Sequence, residues 1–249
     1  MCGRFVSREQ AAVEREYNIK VRNPFERVYN AAPTMLLPVI RTRSDDPADP
    51  TAGPTAGTGG AGAREALSMR WGLIPGWWSQ PTAPTSTINA RSEEAASKPM
   101  WRSAVRHTRC LVPSLGWYEW KLTPEGKVPF FIHAPALAGI CFAGVWSEWK
   151  NPAGEAQLSF AILTRAASDA LKAVHDRMPV VLAQAAWDDW LSNWPADHAA
   201  RLAAQVRNSL NHFEYYPVSR YVNAPRNQGE RCIQPAGHRV EPGNPGLKP

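Results

Sequence analysis

The chain has 249 residues, 44% hydrophobic and 20% charged, with a formal net charge of +6. That is enough to bury one sizeable core, and a single domain is expected. No apolar run reaches the roughly 18 residues a membrane helix needs, and Met1 leads directly into Cys2 and Arg4 with no apolar export segment, so neither a transmembrane helix nor a signal peptide is expected and the protein should be cytosolic. The modest positive charge suits a polyanion partner without identifying one. Cys2, Cys110, Cys141 and Cys232 form no C-x-x-C pair and have no H-x-x-x-H companion, which argues against a zinc site or a small disulfide scaffold.

In chain order, Ser7 followed by Gln10 predicts a capping box opening a helix through about Tyr17. Such a helix would fix the N-terminal segment, and Cys2 with it, against the body. Short β-rich runs at Leu36–Arg43, Ala66–Trp71, Phe130–His133, Gly139–Trp146, Leu158–Thr164 and Pro179–Leu182 are separated by Gly, Pro and polar residues and predict strands. Helical patterns fall at Ser168–Val174, Gln184–Asn193 and Asp197–Asn208. Their irregular alternation with strands argues against a βαβ repeat and for an α+β domain with a mainly sheet core. Residues 44–62 are dense in Pro, Gly, Ala, Thr and Asp, and predict a flexible surface insertion. Residues 236–249 are expected to be a disordered tail after a domain spanning 1–235. Most of the eleven tryptophans should be core, but one or two exposed beside cations would make a stacking platform for bare bases.

Several residues could carry chemistry. Cys2 follows the initiator Met1, and its small side chain favours methionine removal. The product is a 1,2-aminothiol, with an α-amine pKa of roughly 7.7–8.0 beside a thiol near 8.5. An aldehyde would condense with the amine to an imine, and the thiol could then close a thiazolidine, a ring no internal cysteine can form. A coding accident at a mobile terminus explains Cys2 equally well on its own. Glu119 lies among Trp117, Tyr118 and Trp120, where desolvation would raise its pKa toward general acid–base use, unless it sits on a strand facing water. His175 near a helix C-terminus would be favoured in its protonated form and could shuttle protons, or simply cap or pack. Asn89 and Arg91 offer an amide for a sugar hydroxyl and a guanidinium for a phosphate, although a polar loop accounts for them too. Arg4, Trp77 and Trp78 would supply a cation and aromatic faces near Cys2 if the terminus folds back.

Taken together, M-C-G-R-F at Met1, Y-N-A-A-P at Tyr29, W-G-L-I-P-G-W-W at Trp71, N-A-R-S-E at Asn89, G-W-Y-E-W at Gly116 and H-D-R-M-P at His175 closely resemble the SOS-response-associated peptidase (SRAP) family of abasic-site processing proteins. P-V-S at Pro217 and N-Q-G-E at Asn227 extend the likeness to about Pro235. The resemblance implies a single compact α+β domain, with a β-rich, barrel-like core flanked by helices and a positive groove for single-stranded DNA bent at an abasic site. It implies Cys2 as nucleophile and cross-linking residue, Asn89 binding the opened sugar, Glu119 positioning or deprotonating the terminal amine, and His175 assisting ring opening and adduct reversal. Arg4, Arg91 and Arg177 would contact phosphates, and Trp77 or Trp78 would stack on a base. It further implies self-release of Met1, possible lyase activity, a monomer acting at damaged DNA in the cytoplasm, and no metal or organic cofactor. The insertion and tail are not accounted for by the family. A cysteine-type peptidase or amidase with Cys2 as N-terminal nucleophile is the alternative, and a non-covalent single-strand binder the third reading.

Overall fold

A computed structural model describes residues 2–21, 23–43, 63–83, 86–124, 126–194 and 197–236. The predicted insertion at 44–62 and nearly all of the predicted tail lie outside these residues. In chain order the elements are β1 (Phe5–Ser7), α1 (Gln10–Tyr17), β2 (Leu36–Thr42), β3 (Arg64–Trp71), β4 (Asn89–Arg91), α2 (Ser92–Ala95), α3 (Arg102–His107) and β5 (Arg109–Thr123). They continue with β6 (Gly126–His133), β7 (Ile140–Lys150), β8 (Ala156–Ala166), α4 (Asp169–Lys172), β9 (Arg177–Pro179), α5 (Trp187–Leu191), α6 (His198–Arg207) and β10 (Glu214–Pro217).

Five strands close on themselves. β2 pairs β3 antiparallel, β3 pairs β8 in parallel, β8 pairs β7, β7 pairs β5, and β5 returns to β2 at Leu111–Ile40. Closure removes the free edges of this ring. The period-2 alternation of the strands sorts their side chains to two sides. Leu37, Val39, Leu67, Met69, Trp71, Cys110, Val112, Phe142, Phe160 and Ile162 share one cluster, which fills the barrel. Their neighbours Ile40, Ala66, Leu111, Cys141, Ala143, Val145, Ala161 and Leu163 face outward and are covered by Val13 and Tyr17 of α1, Val105 of α3, Trp187 and Trp190 of α5, and Leu202 of α6. The α+β architecture with a barrel-like core flanked by helices is therefore the one observed.

Several sequence expectations need correction. The capping box does not form: Ser7 ends β1 and its Oγ accepts from the Val28 N–H at 2.8 Å, while α1 starts behind Glu9 without a side-chain cap. Strand pairing captured the hydroxyl that local pattern assigned to the helix. β5, fifteen residues long, is absent from the predicted strands; Pro113 and Gly116, both poor strand residues, lie within it. The strand expected at Pro179–Leu182 begins earlier as β9, and Val180 to Leu182 go on to bond β7 through Ala143 N–H to Val180 O (2.8 Å) and Leu182 N–H to Cys141 O (2.9 Å).

Gly116 is where β1 and β6 close on β5. A Cβ there would lie 2.3 Å from Ile132 O and 2.6 Å from the Phe131 ring, and a backbone oxygen cannot move aside as a flexible side chain can. Gly116→Ala is expected to lower stability by about 3 kcal/mol, at the upper end for overpacking a core, measured as a shift of the urea midpoint at unchanged slope.

Candidate active site

The N-terminal segment does fold back, as an added strand. β1 lies antiparallel to β5 with Phe5 opposite Trp117 and Val6 opposite Gly116, and the Tyr118 N–H donates to Arg4 O at 3.0 Å. On its other edge Phe5 exchanges two backbone bonds with Ala31, at 3.3 and 2.9 Å. Cys2 therefore sits fully buried at the barrel mouth, in the same cluster as Phe5, Trp71 and Trp117.

Three elements bring polar groups to it. β4, parallel to β8 with Asn89 opposite Ile162, aims the Asn89 amide so that Nδ2 donates to Cys2 O at 2.7 Å. Its Oδ1 is buried and has no hydrogen-bond partner among the described residues. A lone buried acceptor of this kind costs free energy unless a ligand satisfies it.

β5 carries Glu119, which is 3% exposed. Burial pushes its carboxyl up to about 7; the charge of Asp176 adds to the rise and the chain's amino terminus opposes it. The desolvation expected from the aromatic run is present, and the alternative of a strand carboxylate facing water is not what is observed. Burial, then the negative charge of Glu119, holds the Cys2 thiol well above its usual value, so near neutrality it is a thiol and not a thiolate.

The turn between α4 and β9 carries His175, whose Nε2 lies 3.9 Å from Glu119 Oε2. Its Nδ1 is 3.0 Å from the Arg177 N–H and 2.8 Å from Asp176 Oδ1. One nitrogen cannot use both at once: unprotonated it accepts from Arg177, and protonated it donates to Asp176. With Nδ1 as acceptor, the neutral ring carries its proton on Nε2, toward Glu119. The expectation of a protonated His175 is corrected, since burial leads in holding its pKa below the ordinary value and α4, of four residues, offers little dipole to counter it.

The expected DNA-contacting residues are placed unequally. Trp77 is 60% exposed and is the exposed tryptophan among the described residues, beside Pro99, Arg102 and Ser103. Trp78 stands edge-on to it at 5.6 Å and is pinned, donating from Nε1 to Thr82 O at 2.9 Å and accepting at its carbonyl from Trp149 Nε1 at 2.6 Å. Arg91 is exposed. Arg177 is gripped by both oxygens of Glu93, at 2.7 and 2.9 Å, and donates to Thr164 O at 2.9 Å. Arg4 bonds Asn30 and two carbonyls of the C-terminal segment. Asn30 and Glu93 sit inside motifs quoted from the sequence yet received no role there; an amide and a carboxylate among polar and small residues give no sequence signal of what they hold. Among the described residues no group of three or more His, Cys, Asp or Glu side chains is arranged to hold a metal ion, and no helix is long and apolar enough to cross a membrane.

Comparison with known proteins gives this arrangement a family. The family profile described as SOS response associated peptidase (SRAP) matches residues 1–225. The chain is 30% identical over 242 residues to the abasic site processing protein YoqW of Bacillus subtilis, covering 94% of this chain and 99% of that one. It is 37% identical over 166 residues to the abasic site processing protein YedK of Escherichia coli, covering 66% and 72%. A crystal structure of a Bacteroides thetaiotaomicron protein superposes with a TM-score of 0.74 at 21% identity, over 95% of this chain and all of that one, which shows the shared fold. With the match running from the buried N-terminal cysteine through the last motif of the barrel, the chain belongs to the SOS response associated peptidase (SRAP) family.

Proposed function

We propose that this protein processes abasic sites in single-stranded DNA by forming a covalent bond to the opened deoxyribose through Cys2, once Met1 has been released. The observation that carries the reading is the meeting of Cys2, Asn89, Glu119 and His175, drawn from four separate segments, with Cys2 and Glu119 buried and Asn89 and His175 half-buried against them. Relatives whose names state abasic site processing support the substrate.

The chemistry follows from the protonation states. An abasic deoxyribose is mostly a closed hemiacetal, so its ring oxygen must be protonated before the C1′ aldehyde is free. Neutral His175, with its proton on Nε2, and Glu119, poised near 7, can give and take that proton. The Cys2 amine, relieved of a proton by Glu119, attacks C1′; the carbinolamine loses water to become an imine. The thiol sulfur then adds to the imine carbon and its proton ends on the nitrogen, so the adduct differs from its parts by one water. Keeping the thiol un-ionised until the imine forms favours this order. The buried Asn89 Oδ1 is the acceptor for a hydroxyl of the opened sugar. Arg91 and Arg177 face the phosphates, Arg177 exchanging Glu93 for one of them, and Trp77 offers a ring face to a base. An imine left open would also permit β-elimination and strand cleavage, and ring closure by sulfur suppresses it. The same acid–base pair is the candidate for self-release of Met1.

A single-stranded oligonucleotide with one abasic site should give a band that survives denaturing detergent and 1 M salt, whereas phosphate contacts alone are lost as salt rises. Absence of that band would leave a non-covalent binder. His175→Ala is expected to slow both capture and release by about 10²-fold, since one proton-transfer path serves both directions. Single-turnover capture, and loss of label from preformed adduct, measure the two; a change in only one would separate His175 from the shared step.

A further inference from the structure

The motifs at Tyr29 and Asn227 take no part in the chemistry above, yet they meet around Arg4. Asn30 is fully buried. Its Oδ1 accepts from Arg4 Nη1 at 2.7 Å, and its Nδ2 lies 3.0 Å from Val222 O, 3.0 Å from Ala224 O and 3.1 Å from Asn227 O. Gln228 locks the same residue by its backbone, accepting from the Asn30 N–H at 3.1 Å and donating to Asn30 O at 3.4 Å. Arg4 also donates to Val222 O at 2.9 Å and Asn223 O at 3.3 Å, and lies 5.7 Å from the centre of the Trp120 ring. A guanidinium two residues from Cys2 is thus tied to a segment 218 positions later in the chain.

We propose that Asn30 is a positioning residue for Cys2, acting through Arg4, and that the 222–228 segment is the fixed body against which Arg4 is held. This rests on Cys2 being the nucleophile. Strand pairing of the N-terminus ends at Phe5, with one further backbone bond at Arg4 O. Between that bond and the reacting amine, the chain is held by the Arg4 side chain and the Asn89 bond to Cys2 O, beside the packing of Cys2 and a weak Sγ contact to Arg4 O at 3.9 Å. A misplacement near 1 Å at a reacting atom costs about 10²-fold in rate, so the tie matters to the reaction and not only to the fold. The geometry also gives Arg4 a task other than phosphate binding, because its donors are aimed inward at Asn30 and at two carbonyls.

The two roles separate by measuring the capture rate at saturating abasic oligonucleotide and, independently, affinity for an oligonucleotide carrying a tetrahydrofuran abasic analogue that has no aldehyde. Arg4→Met is expected to slow saturated capture by about tenfold or more, with analogue affinity within about threefold and its salt slope unchanged. Weaker analogue binding with a salt slope reduced by about 0.7, at an unchanged saturated rate, would make Arg4 a phosphate ligand and overturn the proposal. Asn30→Ala should behave as Arg4→Met. Asn30→Asp keeps the acceptor for Arg4 while losing the donors to the three carbonyls, so it should rescue the rate even as urea unfolding moves to lower concentration; a rate that tracked stability across the two variants would also overturn it. Gln228→Ala, at an exposed position, removes both of its bonds to the Asn30 backbone without emptying the core, and should slow saturated capture several-fold. A wild-type chain giving no adduct would refute the reading of Cys2 itself and the positioning role with it, whereas a wild type that captures DNA as fast as Arg4→Met refutes the positioning role alone.

Discussion

Cys2→Ala should form no denaturation-stable adduct with abasic single-stranded DNA, yet should still yield a trappable one when borohydride is present. Alanine at position 2 also permits Met1 removal, so the variant keeps a terminal amine, held by the same Asn89 bond to the residue 2 carbonyl. Amine alone gives an imine, which hydrolyses on denaturation unless reduced. Sulfur is what converts it to a ring. The variant should also cleave the strand more than the wild type, since the imine now persists. Loss of one buried heavy atom from the cluster around Phe5 and Trp71 should cost only about 1 kcal/mol, so loss of adduct could not be ascribed to unfolding. A stable adduct from this variant, without reductant, would remove Cys2 from the chemistry.

Glu119→Gln is expected to slow capture about 10²-fold above pH 7, the lower range for loss of a general acid–base. In the wild type the rate should rise with pH through an inflection near 7, where burial has placed this carboxyl; in the variant that inflection should vanish. Stability should move the opposite way. Glu119 has a folded pKa of about 7 against an ordinary 4.5, so between these values the folded chain holds a proton that the unfolded chain has lost. Stability conferred by the protonated form is complete below about 4.5 and is lost as pH rises to about 7. Glutamine never ionises and escapes that loss, which makes the variant more stable than wild type at pH 8 by at most about 3 kcal/mol and no more stable at pH 4. Urea melts at the two pH values test this. A site residue whose removal stabilises the fold while impairing capture is one held under electrostatic strain for a purpose.

Cys2 stood out as a candidate because an N-terminal aminothiol needs no fold to be recognised. Glu119 was half legible: three aromatic side chains around it suggested desolvation while a water-facing strand fitted the pattern as well, and it is the fold that buries the carboxyl and raises its pKa. His175 was misjudged in charge state because helix ends are local and visible while burial is not; here burial prevails. The strands with clean apolar runs, such as β2 and β8, were found near their bounds. β5 was obscured by Pro113 and Gly116, whose tolerance depends on partners elsewhere in the barrel. The partners of the arginines were out of reach for the same reason. Nothing local to Arg4 or Arg177 announces Asn30, Val222 or Glu93, and only the closed barrel brings those residues together.

The central claim, a covalent bond from Cys2 to an abasic sugar, is tested most directly by intact-mass analysis of the purified protein before and after incubation with a single-stranded oligonucleotide bearing one abasic site. The expected result is a chain lacking Met1 that gains the mass of one oligonucleotide less one water under denaturing conditions, with the linkage mapping to Cys2. A chain that has lost Met1 and keeps its mass unchanged in the presence of the oligonucleotide would contradict it.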